Sequence, residues 1–176
     1  MLHSAQMIDE SKLQAFVARR RDAQNLGLGL LGGVIGAALG ALAWAAVTAL
    51  TQFQIGWMSI GVGFLTGVGV RILGKGVDKV FGYVGAVLSL VGCAAGNVLA
   101  ALMYISAHDH IPFATLLERT TPTVAWGILT DTFGVMDIVF YGIALYFGYR
   151  YSFHRITPQE LAALQPDPEA SAPAQS

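Results

Sequence analysis

"LGLGLLGGVIGAALGALAWAAVTAL", residues 26 to 50, carries no charge in 25 positions. At ~1.5 Å of rise per residue, a helix of this length reaches ~37 Å, more than the ~30 Å hydrocarbon core of a bilayer. The whole chain points the same way. Of its 176 residues 55% are apolar and 12% charged, and the mean hydropathy is +0.59. Soluble domains carry about 25% charged residues, and a small domain has too much surface for its volume to hide this apolar excess in a core. Lipid as solvent accounts for it. A signal peptide is the rival reading, because "ARRR" precedes the run. Its leader and its apolar stretch are both longer than such a peptide uses, so a retained span is expected.

Three further runs follow. Residues 55–73 are broken only by Arg71 near the end, residues 82–105 have Asn97 as their most polar member, and residues 133–151 hold Asp137 near the start and Arg150 near the finish. The intervening "PFATLLERTTPTVAWGILTDT", 112–132, mixes Glu118, Arg119 and Asp131 with two prolines and Trp126. It is too broken to span alone and reads as an interfacial or re-entrant segment. Lysine and arginine placement sets the orientation. Lys12, Arg19, Arg20, Arg21, Arg71, Lys75, Lys79, Arg150 and Arg155 fall on one side of four spans, and only Arg119 falls on the other. The expectation is an all-α, four-helix transmembrane bundle over 26–152 with both termini cytoplasmic. Residues 1–25 form a basic segment, read either as an amphipathic surface helix, with Met7, Ile8, Phe16 and Val17 opposite the arginines, or as a solvated helix. Residues 153–176 hold a short helix, capped by Thr157, Pro158 and Glu160, and a disordered tail.

Most of the 21 glycines lie inside the spans. Gly32, Gly36 and Gly40 recur every four residues, and so do Gly63 with Gly67 and Gly92 with Gly96. Such spacing keeps small residues on one helix face, where another backbone can approach closely. A neighbouring span or a second subunit would fit equally. Two glycine patterns imitate nucleotide sites. "GLGLLG" at 27–32 has the dinucleotide spacing but lacks a preceding strand and the acid about 20 positions on. "GVRILGKG" at 69–76 matches a P-loop except that Gly76 stands where a Ser or Thr should ligate magnesium. It reads instead as a cytoplasmic hairpin, with Gly74 ending the helix at C′ and Lys75 and Lys79 facing anionic head groups. No nucleotide and no cofactor is expected. A net charge of −1 gives no basic field for nucleic acid.

Asn97 and Asp137 are the polar residues at membrane depth, where ionisable groups are costly. They are expected to hydrogen-bond to each other, directly or through water, or to serve as interhelical glue or an interfacial cap, with part of an ion path as the remaining reading. His108 and His110 in "HDH" are weak metal candidates beside the plainer reading of a solvated loop. No metal is expected. Cys93, the one cysteine, sits in an apolar run as a small hydrophobe, and no Ser/His/Asp or Cys/His set can be assembled.

The stretches 59–100 and 136–152 together resemble a group of small uncharacterised bacterial multi-pass inner-membrane proteins. The shared pattern is a glycine-rich helix ending in an arginine and a G-K-G loop, then a helix with a G-N pair, and later a helix opening Met-Asp and closing Gly-Tyr-Arg. It falls here on Gly67, Arg71, Gly74, Lys75, Gly76, Gly96, Asn97, Met136, Asp137, Tyr141 and Gly148 to Arg150. Some members carry a zinc-ribbon-like N-terminal segment. This chain has a basic segment there, so a zinc-linked role does not carry over. The resemblance implies the four-span topology and a bacterial inner membrane. The expected role is non-enzymatic, as a homo-oligomer or an accessory subunit of a membrane assembly. The alternative is a small oligomeric channel or transporter using Asn97 and Asp137.

Overall fold

A computed structural model describes residues 10–51, 53 and 56–153. Met7 and Ile8 of the N-terminal segment, and Thr157, Pro158 and Glu160 of the C-terminal cap, lie outside the described residues. Those described form seven helices and no strand: α1 (Glu10–Asp22), α2 (Leu26–Thr51), α3 (Met58–Gly74), α4 (Lys79–Asp109), α5 (Phe113–Arg119), α6 (Pro122–Thr132) and α7 (Val135–Tyr151). Two of them, α2 and α4, are long and apolar enough to cross a membrane. The pair α6 and α7 makes a third candidate, bent by 112°, and α3 is a shorter apolar helix. α1 separates its faces weakly, because at 100° per residue Arg20 falls between Phe16 and Val17. Its guanidinium lies 5.2 Å from the Phe16 ring centroid.

Helices α3 and α4 touch each other, and each touches both α2 and α7. Among the described residues α2 and α7 do not meet. The cross-section is therefore a rhombus with α3 and α4 on its short diagonal. Lengthwise, the helices pack in fixed register. On α2 and α4, Gly33 meets Leu88, Ala37 meets Gly92 and Ala41 meets Gly96, a constant offset of 55 that only parallel helices give. On α3 and α7, Ser59 Oγ donates to the Phe140 carbonyl at 3.1 Å, Gly63 meets Ala144 and Gly67 meets Gly148, a constant offset of 81. The α2–α3 and α4–α7 pairs are antiparallel: Gly29 meets Gly74 and Gly40 meets Val62, while Gly85 meets Ser152 and Asn97 faces Tyr141. Each contact recurs at four residues, just over one turn, which is the spacing of the small residues in the sequence.

In two places, backbone touches backbone reciprocally. A Cβ built on Gly32 would land on the Gly69 carbonyl, and one built on Gly69 would land on the Gly32 carbonyl. Gly85 and Gly148 stand in the same relation, each 2.5 Å from the other's carbonyl oxygen once a Cβ is added. Here only a Cα–H fits against the facing oxygen, an arrangement worth about 0.5–1 kcal/mol per contact. Around the second pair, Ser89 Oγ donates to the Gly85 carbonyl and Ser152 Oγ to the Gly148 carbonyl at 2.6 Å. Each hydroxyl thus answers to its own helix and fills the notch opposite the partner glycine. The sequence carries this as two Gly-x-x-x-Ser pairs, 85–89 and 148–152.

The helix ends refine the expected boundaries. α3 starts at Met58, after a turn at Gly56 and Trp57. At its other end α3 runs through Gly74, and the left-handed residue is Lys75, with φ 49°. Gly74 is therefore not the C′ glycine: its missing side chain serves packing, since a Cβ there would lie 2.7 Å from the Gly29 Cα. Asn25 begins α2, its Oδ1 accepting from the Leu28 N–H at 2.9 Å. The segment 112–132 resolves into α5 and α6, neither of which buries a residue. Thr121 caps α6, accepting from the Val124 N–H at 3.3 Å, with Pro122 at N1.

Glycine-to-alanine scanning in detergent should separate two classes. Gly32→Ala, Gly69→Ala, Gly85→Ala and Gly148→Ala overpack against backbone and lose about 1–3 kcal/mol of stability. At Gly61 and Gly142 a Cβ meets nothing within 4 Å. Alanine there should be neutral or stabilising by up to about 1 kcal/mol through helix propensity.

Candidate functional site

A polar layer crosses the bundle in the half away from the α3–α4 loop. The same register builds it from four helices. Gly40 against Val62 sets Trp44, one turn on, beside the start of α3, and a Cβ on Gly96 would lie 2.9 Å from the Trp44 ring. Thr48 follows one turn further along α2. Ser59 opens α3, Cys93 and Asn97 come from α4, and Tyr141 comes from α7. Trp44, Thr48, Ser59, Cys93 and Asn97 are all at most 2% exposed. Trp44, Cys93 and Ala144 share one apolar cluster with Val62 and Ala100, and Tyr141 packs against it.

The layer's hydrogen bonding is uneven. Ser59 Oγ is committed to the Phe140 carbonyl, and the Cys93 thiol points at the Ser59 carbonyl at 3.9 Å. The Asn97 side chain and the Tyr141 hydroxyl face each other across the α4–α7 seam. Trp44 Nε1, Thr48 Oγ1 and the Tyr141 hydroxyl are buried with no hydrogen-bond partner among the described residues. Buried polar groups in this condition cost about 1–3 kcal/mol each. A buried polar layer in an apolar bundle fixes register, because a helix that slides by one turn loses every one of these pairings.

Asp137 serves as a cap, one of the parts its depth allowed, and is not the hydrogen-bond partner of Asn97. Its Oδ2 accepts from the Gly134 N–H at 2.7 Å, and its own N–H donates to the Gly134 carbonyl at 3.0 Å. This is the carboxylate half of a capping box, with glycine as N-cap and the acid at N3; glycine has no side chain to complete the other half, and its carbonyl accepts instead. The carboxylate satisfies a helix start and favours the positive end of the helix dipole. The side chain facing Asn97 is Tyr141, one turn further along α7. Sequence reading placed Asn97 and Asp137 in the same region; Tyr141, one turn beyond Asp137 and part of the resembling pattern, was not paired with Asn97 there.

Tyr141 also faces outward. With Phe133, Trp126, Leu129, Leu90, Val91 and Ala94 it lines an apolar groove of about 590 Å³ between α4, α6 and α7. The Phe133 and Tyr141 rings meet edge to face at 5.5 Å. Trp126 on α6 remains 69% exposed. The metal candidates are separate from this layer. His108 stacks on Tyr104 at 6.0 Å and His110 ends α4 in the left-handed region, φ 56°. Among the described residues no three His, Cys, Asp or Glu side chains converge.

Stability measurements on Asn97→Ala, Tyr141→Phe and the double variant should show coupling of at least about 0.5 kcal/mol, as for residues in contact. Asp137→Ala should cost about 1 kcal/mol as the loss of a cap and should add to Asn97→Ala. Coupling between 97 and 137 as strong as between 97 and 141 would contradict this assignment. Comparison of the chain with known protein families, with curated proteins and with solved structures finds no match in any of the three.

Proposed function

We propose that the chain is a four-span protein of a bacterial inner membrane, with cytoplasmic termini, acting without catalysis as an accessory subunit of a membrane assembly. The observation that carries this reading is the fit of α3 and α7 among α2 and α4. Both are 17 residues long, ~25 Å at ~1.5 Å per residue, yet each lies in register along helices that are long enough to cross. A shared slab of lipid explains that arrangement. Charge supports it: Arg19, Arg20, Arg21, Arg71, Lys75, Lys79 and Arg150 gather at the end marked by the α3–α4 loop, as the positive-inside rule requires of a cytoplasmic face. The near-perpendicular bend between α6 and α7 favours α6 lying in the outer interface over its continuing α7 as one straight span.

The glycine faces bear on the mode of association. Gly32, Gly36 and Gly40 pack on α3, Gly63 and Gly67 on α7, and Gly92 and Gly96 on α2. They are occupied within the chain and do not offer a groove to a second copy. That weighs for a partner of another kind, seated on the outer flank of α7. This helix buries only Ala144 and Gly148, while Val135, Met136, Ile138, Val139 and Tyr146 are more than half exposed. The channel reading keeps one supporting feature, the polar layer, but Asn97 at 0% exposure gives ions no entry in this arrangement.

Two measurements test the proposal. In a Cys93→Ala background, a cysteine at Arg119 should react with an impermeant maleimide in intact cells, and one at Lys79 only after permeabilisation. The reverse pattern, or equal labelling, contradicts the topology. Photo-crosslinkers at Ile138 and Tyr146 should capture another membrane protein that a crosslinker at Leu39 on α2 does not. Adducts to lipid alone at all three sites would rule out the accessory role. Cation flux in liposomes containing only this chain would favour the channel.

A further inference from the structure

At the cytoplasmic end the α1–α2 turn is tied to the α3–α4 loop. The Asn25 N–H donates to the Gly74 carbonyl at 2.9 Å, and Gln24 Oε1 accepts from the Val77 N–H at 3.3 Å. Gln24 Nε2 and Arg21 Nε both reach Asp78, the latter at 3.3 Å. This clasp fixes the end of α1 against the end of α3 and leaves a pocket of about 630 Å³ between them. Its walls are Arg19, Arg20 and Phe16 from α1, and Arg71, Ile72 and Lys75 from α3 and its terminus, with Ala23 beside the turn. Among the described residues four cations line it and no acid does. The nearby acid Asp78 is engaged by Arg21 and Gln24 outside the pocket.

We infer that this pocket binds the phosphate of an anionic phospholipid from the cytoplasmic leaflet. Arg19, Arg71 and Lys75 supply the charge, and the lipid's acyl chains run along α3 past Ile72. Ile72 is 60% exposed on the flank of the bundle, so the pocket opens onto a surface that suits hydrocarbon. That continuity distinguishes a lipid from a soluble phosphate, which gains nothing from an apolar exit. Lys75 adds a second indication. It takes the left-handed conformation with φ 49° between Gly74 and Gly76, a position where glycine is the less strained choice. Guanidinium forks match phosphate oxygens bidentately, and ammonium serves as a point charge.

The inference rests on the membrane reading above. The test titrates dioleoyl phosphatidylglycerol into the full-length chain in neutral detergent and counts retained lipid by native mass spectrometry, with phosphatidylcholine as the uncharged comparison. One phosphatidylglycerol should be retained in preference to phosphatidylcholine. Arg71→Gln with Lys75→Gln should weaken its retention by about thirtyfold, the loss expected for two cations at an anionic surface. Lys79→Gln with Arg150→Gln removes equal charge from the same end outside the pocket and should weaken it by about threefold or less. Lys75→Gln alone, at an exposed position, should weaken it by about fivefold and covers the case in which the double variant fails to fold. Equal losses from both double variants, or none from any, would overturn the site. Full displacement of the lipid by inorganic phosphate would overturn the lipid as ligand. Each variant is also extracted with carbonate: a chain released from the membrane defeats the membrane reading, whereas a retained chain without lipid selectivity defeats this inference alone.

Discussion

The bundle depends on peptide backbones meeting at van der Waals contact, at Gly32 with Gly69 and at Gly85 with Gly148. In lipid, water provides no drive for one apolar helix to prefer another over an acyl chain, so attraction must come from close packing and short-range polar contacts. A side chain at any of these four positions would hold the helices apart and forfeit dispersion and Cα–H···O contacts together. The parallel registers follow from this constraint. Once α2 lies against α3, and α7 against α4, at fixed heights, the offsets of 55 and 81 bring Gly33, Gly63, Gly67, Gly92 and Gly96 opposite a side chain or a carbonyl.

The two halves of the bundle then differ in kind. Toward the basic end the seams are glycine and back-bonded serine, tight and almost free of polar atoms that need a partner. Toward the other end Trp44, Thr48, Ser59, Asn97 and Tyr141 enter the same seams with larger polar side chains. Room for them exists because α3 begins only at Met58, beside Trp44, while α2 continues to Thr51. The polar layer therefore lies where the bundle loosens, beneath the bend between α6 and α7. Asp137 stands at the top of this region as a cap, holding the first turn of α7 so that Tyr141 reaches Asn97.

Much of this was legible in the sequence, and the reasons are physical. Long uncharged runs favour helices that suit lipid, and 26–50 and 82–105 fall within α2 and α4. The four-residue glycine series showed which faces would pack, but not against what. A second copy and a neighbouring helix demand the same small residues, and only the folded chain shows the stripes consumed internally. Gly69, Gly85 and Gly148 were harder to see, because their importance comes from a carbonyl across the seam. Asp137 was ambiguous by its depth: a carboxylate one turn inside a span and a carboxylate at N3 of a helix occupy the same place in the sequence. The glycine at 134 was the signal that it caps. Thr121 and Pro122 likewise announced α6, but in a segment whose mixed polarity hid its helices.

The central claim is that these small residues join helices of one chain in parallel register, and disulfide trapping in membranes reads it directly. In a Cys93→Ala background, cysteines at Ala37 and Gly92 stand where a Cβ on the latter comes 3.0 Å from the former's, so a shift of about 0.5–1 Å between the helices brings the pair to the ~3.5–4.5 Å of a disulfide. The account predicts rapid oxidation to an intramolecular crosslink that leaves the chain at monomer mass, with little reaction for a control pair at Ala37 and Ala94. A crosslink that forms chiefly between chains, or equally well at both pairs, would contradict it.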